Sequence, residues 1–449
     1  MAPLHRIAGL LWLSVSIITG PAHAQNVETS DDIIMLTGTR SNTAKTSTGP
    51  PTGAYQTLSS RITLATTSLP TDLGALTSYT EASSHTLTYL TGSVTSSSST
   101  SSLASGSHTT STSTTPPRPT NTRPCNNHPA LCARKYSNIT QVGCHNSPFV
   151  RPGSAAANQQ YAVTSQLDDG IRFLQAQIQW PTQNDTSTPH LCHTSCDLLD
   201  AGPLTDWLVT VREWVAAHPY DVVTILLGNG NYSTPDKYVP FIEASGITQF
   251  VYTPAVVPMR ADDWPTLGQL ILSGQRVVMM LDYMANQTAY PWLMDEFGGM
   301  WETPFDPVDP AFPCTVQRPP GLGDADARGR LYLMNHNLNA EVSVLGQTVL
   351  VPAVSQLNVT NGVEGNGSLG MAAEGCREMW GRAPNVLNVD YYNYGSYPGS
   401  VFEVAAAMNN VSFEKRACCG PGTSAGGRVE VGRAVAWIGL AWAVCMLLG

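Results

Sequence analysis

Positive charge is scarce in this chain. Its 449 residues carry 23 Lys plus Arg against 33 Asp plus Glu, a formal charge of −10. A phosphate backbone needs a basic footprint, so nucleic acid is excluded as a partner. None of the ten cysteines falls into a paired CxxC…CxxC spacing, which removes that zinc arrangement. Long apolar runs are lacking too. A membrane-spanning helix needs roughly 20 residues, and the two strongest apolar stretches, 7–18 and 434–449, fall short of that. Large apolar side chains are few between 25 and 120, a segment dominated by Ser, Thr, Gly and Pro. Such a segment cannot bury enough surface to offset its ordering entropy.

The ends carry processing signals. Basic His5 and Arg6 precede the first apolar run, and Ala22-His23-Ala24 supplies a small-x-small cleavage site, so 1–24 reads as a secretory signal peptide. At the other end, small residues around Ser424 and a polar spacer within 414–433 precede the apolar tail 434–449, the order of a GPI-attachment signal. The stretch 25–120 reads as a disordered, O-glycosylated stalk, the alternative being a short β-rich module between Ala54 and Leu90. Seven N-x-S/T sequons begin at Asn138, Asn184, Asn231, Asn286, Asn358, Asn366 and Asn410. Close spacing suggests Cys125–Cys132 and Cys192–Cys196 as local bridges and Cys314–Cys376 as a longer one, although spacing alone does not fix connectivity. The expectation is a secreted, disulfide-bonded, monomeric glycoprotein held at the cell surface by a GPI anchor in the plasma membrane or cell wall.

Between about 125 and 413 the pattern alternates. Short apolar runs at 139–144, 171–178, 222–227, 277–281, 331–334 and 386–389 are separated by helical stretches. The clearest helix is 204–217, where Leu204, Trp207, Leu208, Val211, Trp214 and Val215 recur at three- and four-residue spacing. Strand–helix alternation implies a parallel sheet, and at this length an α/β fold of the TIM-type (β/α) barrel. Functional side chains should then stand just after the strands, on the C-terminal rim. His145 follows the first strand in Gly143-Cys144-His145-Asn146-Ser147, and His193 ends a third strand region, 189–193. Two imidazoles on one rim suit acid–base chemistry near neutral pH.

The motifs carry a resemblance. GCHNSPF resembles the first-strand motif of phosphatidylinositol-specific phospholipase C (PI-PLC) X domains, GIRFLQAQIQW is similar to their second strand, and LCH follows at the usual distance. NVLNVDY, 385–391, resembles the last catalytic strand. The similarity looks closest to fungal secreted members. It implies that His145 is the catalytic base, His193 the general acid and Asp390 the carboxylate that orients the base. The implied reaction is attack of an inositol 2-hydroxyl on phosphorus with departure of diacylglycerol.

The chain departs from the family's pattern at the phosphate. Animal-type members place acidic calcium ligands on the second strand, and bacterial members an Asp and a phosphate-binding Arg; here stand Gln175 and Gln177. Gly228 replaces a Glu or Lys after the fourth strand. With Asn146 the remaining ligand-like residue, no Ca²⁺ site and no cofactor is expected. Arg172, three positions before Gln175, should face outward, leaving no evident cation for the phosphoryl group. Asn146, Gln175, Gln177, Asp282 and Asn335 are the candidate substrate contacts, with His336 beside them and Trp180, Tyr283 and Tyr391 as possible sugar-stacking rings. Three functions compete: a diesterase for an inositol phospholipid or GPI-like glycolipid, a surface glycoprotein that kept the barrel without turnover, and a diesterase for other phospholipids or sphingolipids.

Overall fold

The computed structural model describes residues 124–181, 188–344, 347–396 and 399–413, with short pieces at 33–34, 50–51, 53–55 and 60–64. The signal peptide, most of the stalk, Asn184, Cys418, Cys419, Cys445 and the GPI-attachment region with Ser424 lie outside the described residues.

The strands of three residues or more are β1 (Gln141–Cys144), β2 (Phe173–Gln179), β3 (His190–His193), β4 (Leu199–Pro203), β5 (Val223–Asn229), β6 (Val277–Leu281), β7 (Leu293–Asp295), β8 (Met300–Glu302), β9 (Leu331–Asn335), β10 (Asn339–Val344), β11 (Gln347–Pro352) and β12 (Val386–Val389). Eight of them form one curled parallel path, β7-β6-β5-β2-β1-β12-β9-β8. A single helical turn, Glu296–Gly299, links β7 to β8. No ladder joins these two strands among the described residues, so the TIM-type barrel has a seam there.

Alternation along each strand sorts the core into two layers. Phe173, Leu226, Val278, Met280, Leu331, Leu333 and Val386 fill the lumen with the floor residues Leu131 and Tyr136. Leu174, Ala176, Ile225, Leu227, Met279, Leu281, Leu387 and Val389 face the helices. The helices of six residues or more are α1 (Val163–Asp169), α2 (Leu204–Ala217), α3 (Val239–Ala244), α4 (Leu267–Ser273), α5 (Leu369–Trp380) and α6 (Val401–Met408). Helix α2 buries the six apolar residues its periodicity singles out and starts after Pro203. Gly170 closes α1 at φ 115°, a left-handed conformation that costs other residues energy.

One expectation is overturned. The segment ending in His193 is not a barrel strand: β3 pairs antiparallel with the end of β2 and with β4. Only positions 180–189 separate β2 from β3. A parallel return needs a crossover of a dozen or more residues, whereas a hairpin return does not. The three expected disulfides are all present. Part of the stalk also differs from a free chain. Tyr55 packs on Tyr283 and Phe297 with centroids 5.3 and 4.9 Å away, Ile62–Thr63 pair with Val256–Val257, and Arg61 bonds Asp263 at 2.7 Å. Tyr55, Arg61 and the Ile62–Thr63 backbone thus find partners on the barrel domain.

Candidate active site

His145 leaves the C-terminal end of β1 and is buried. Its Nδ1 lies 2.8 Å from Asp390 Oδ1, at the end of the neighbouring β12. The carboxylate accepts the Nδ1 proton, which leaves the Nε2 lone pair free, and that atom is buried without a partner. Burial alone would push this imidazole down, but the charge and hydrogen bond of Asp390, with Asp306 and Glu302 adding, hold it above its ordinary value.

His193 is turned in from the β3 hairpin and stacks on Phe149, centroids 5.0 Å apart. Its Nδ1 donates to the Ala156 carbonyl at 2.6 Å, and its Nε2 is likewise buried and unpartnered. Burial, then the charge of His145, pushes its pKa down to about 3, and the carbonyl offsets this only in part. The two rings therefore share one electrostatic environment with opposite settings. The hairpin turn is stiffened by the Cys192–Cys196 bridge and by Gln179, whose Nε2 donates to the carbonyls of Cys192 and Thr194 at 3.2 and 3.1 Å.

The PI-PLC X family (PI-PLC X 1) matches residues 131–409. The chain belongs to this family. A PI-PLC X domain-containing protein of Arthroderma benhamiae is 39% identical over 289 residues, covering 64% of this chain and 90% of that protein. A secreted protein of the same fungus is 52% identical over 317 residues, 71% of each chain. Among solved structures, the phosphatidylinositol-specific phospholipase C of Listeria monocytogenes is similar at 10% identity and TM-score 0.41, covering 66% of this chain and 98% of that one. A Staphylococcus aureus enzyme of the same name gives 13% and 0.41, over 63% and 95%.

Within this PI-PLC X domain the other candidates fall into groups. Asn388 Nδ2 donates to Gln175 Oε1 at 3.0 Å and to Asn335 Oδ1 at 3.2 Å. Asn335 Nδ2 donates in turn to Glu302 Oε2 at 3.3 Å. Asp282 accepts the backbone N–H groups of Asn229 and Tyr283 at 2.7 and 2.6 Å. Asn146 is fully buried at φ 50° with both side-chain atoms unpartnered. Gln177 lies over Gly228. Three residues have structural work instead. His336 donates to the Thr360 carbonyl and stacks on Phe312, Trp180 stacks on Tyr238, and the Tyr391 hydroxyl donates to the Ala157 carbonyl.

Arg172 faces outward as expected, bonded to Asp221 and lying over the Trp214 ring. A buried cation that the sequence reading did not single out stands beside Glu302 and Asp282. Arg318 reaches Glu302 at 3.1 Å and Asp282 at 3.5 Å, donates to the Tyr283 hydroxyl at 2.9 Å, and lies over the Phe297 and Phe305 rings. It arrives on the loop after β8, bridged back to Glu302, and no periodicity marks that loop. Burial keeps Asp282 up at about 6, with Arg318 offsetting part of the shift. Glu296 is pushed well above its ordinary value by burial and then by Glu302. Among the described residues no group of His, Cys, Asp and Glu is arranged to hold a metal ion.

Asn158 and Gln159 were invisible in the sequence. Asn158 Nδ2 donates to Asp390 Oδ1 at 3.0 Å, and Gln159 Nε2 ties the His145 carbonyl to that of Val389 at 2.8 and 3.0 Å.

Proposed function

We propose that the chain is a secreted, GPI-anchored, monomeric phosphoric diester hydrolase that cleaves an inositol phospholipid or GPI-like glycolipid. One observation carries this reading: two buried imidazoles, each fixed through Nδ1, each with an unpartnered Nε2. In the reaction His145 Nε2 takes the proton of the inositol 2-hydroxyl and that oxygen bonds to phosphorus. The bond from phosphorus to the diacylglycerol oxygen breaks, and His193 Nε2 delivers a proton to the leaving oxygen. A cyclic inositol phosphate results. His193 has no carboxylate partner, so the diester's own negative charge must favour its protonated form.

Acceptors on Asp282, Glu302, Asn335 and Asn388 suit the hydroxyls of a neutral polyol. The secreted relative supports export. So do three disulfides and the exposed sequon residues Asn138, Asn286, Asn358, Asn366 and Asn410. Asn231 instead accepts from the Trp180 backbone at 3.0 Å. No helix among the described residues is long and apolar enough to cross a membrane.

The test is release of water-soluble inositol phosphate from vesicles containing phosphatidylinositol. His145→Ala and His193→Ala should each lower the rate by about 10²–10⁴-fold. Undiminished activity in both sinks the reading. A second reading, binding without turnover, is favoured by the Asn388 and Asn335 amide donors being already taken up within the Gln175–Asn388–Asn335–Glu302 chain and by Arg318 being already neutralised. It wins if phosphatidylinositol vesicles bind yet no headgroup in a panel including sphingomyelin and phosphatidylcholine is released, with or without Ca²⁺.

A further inference from the structure

Four consecutive residues, 156–159, touch both imidazoles and the carboxylate. The Ala156 carbonyl takes the His193 Nδ1 proton, the Ala157 carbonyl accepts the Tyr391 hydroxyl, and Gln159 binds the His145 carbonyl. Asn158 is fixed from both sides, its N–H donating to the Phe149 carbonyl at 3.0 Å and its carbonyl accepting the Tyr391 N–H at 2.8 Å. Its side chain is buried, and the amide nitrogen stands 3.3 Å from His145 Nδ1.

We propose that Asn158 is a positioning residue that sets the basicity of His145 by sharing the acceptor oxygen of Asp390. Oδ1 of Asp390 receives both the imidazole and the amide, at 2.8 and 3.0 Å, while Oδ2 is buried without a partner. An acceptor divided between two donors serves each less well, and a carboxylate already stabilised by an amide N–H stabilises the imidazolium less. The amide therefore restrains the proton affinity that Asp390 confers and keeps more of His145 in the neutral form a base requires. Its position beside Nδ1 also holds the ring in the orientation that turns Nε2 away from the carboxylate. The other titratable groups that act on this ring are Glu302 from β8, Asp306 from the following loop and His193 from β3. All of them stay in place when Asn158 is changed.

The inference rests on the diesterase reading only for its kinetic arm. Histidine side-chain NMR titration of the full chain is the primary measurement. Asn158→Leu, similar in size without a donor, should raise the His145 pKa by about one unit, tenfold in the protonation equilibrium. The acid limb of the kcat/KM profile on phosphatidylinositol should move with it. Asn158→Asp, isosteric and unable to donate when ionised, should shift it in the same direction. In an Asp390→Asn background Asn158→Leu should not move it further, whereas Asn158→Asp, which brings its own charge to Nδ1, still should. If folded Asn158→Leu and Asn158→Asp chains titrate like the wild type, or if the Asn158→Leu shift persists without Asp390, the proposal is overturned. If the variants show the shift but the wild type hydrolyses no diester, the function fails while the role of Asn158 stands.

Discussion

The Gln177 side chain occupies the space that a side chain at Gly228 would need: a Cβ there would lie 2.1 Å from Gln177 Oε1. The departures at Gln177 and Gly228 are therefore one feature, an amide laid across a bare strand end. Gly228→Lys should cost about 1–3 kcal/mol by overpacking, whereas Gln177→Ala combined with Gly228→Lys should recover much of that loss. Urea unfolding of the four chains in the cycle checks it, and independent, additive costs would contradict the coupling.

Arg318 is held by two carboxylates and three aromatic rings in a buried site. Arg318→Met should destabilise by about 3–5 kcal/mol, because Glu302 and Asp282 would be left buried and uncompensated. Adding Glu302→Gln should return part of the loss. Denaturant midpoints measure both, and a cost under about 1 kcal/mol would mean the cation is not structurally engaged.

His336 titrates at about 3 in the folded chain because burial disfavours its charge. Its unfolded value is about 6.5, so its contribution to stability is present above pH 6.5 and is lost progressively as pH falls toward 3. Replacing it with Gln should leave the chain less acid-sensitive. Between pH 7.5 and 4 the variant should lose about 3 kcal/mol less than the wild type. Equal pH slopes in urea titrations would contradict the buried, neutral assignment.

The disulfides differ in what they constrain. Cys314–Cys376 spans 62 positions, and removing it by Cys314→Ala plus Cys376→Ala should cost about 4 kcal/mol by loop-closure entropy. Cys192–Cys196 spans four and should cost about 2 kcal/mol. Its loss should nevertheless lower turnover more, since it brackets His193. Thermal melts and vesicle assays on the two double variants separate these effects, and the opposite ranking in turnover would contradict a positioning role for the short bridge.

Strands rich in apolar residues were legible in the sequence. Val277–Leu281 and Val386–Val389 fall where the runs place them, and α2 matches its periodicity residue for residue. β7 and β8 escaped because each is three residues long and ends in an acid, Asp295 or Glu302. The direction of β3 was unreadable because an apolar run does not encode parallel or antiparallel pairing; only the short connection could have signalled it. His145, His193 and Asp390 sit at strand ends, where topology gives a polar residue meaning. Asn158 and Arg318 sit on loops, where composition offers no period to read, and their roles exist only once distant segments close over the rim.

The seam between β7 and β8 leaves this side of the barrel mouth closed by side chains and by a loop stapled to α5 through Cys314–Cys376. Arg318 on that loop is tied to Glu302 at the end of β8 and to Asp282 beyond β6, so ion pairs and a disulfide hold together at the seam what ladder hydrogen bonds hold elsewhere in the barrel.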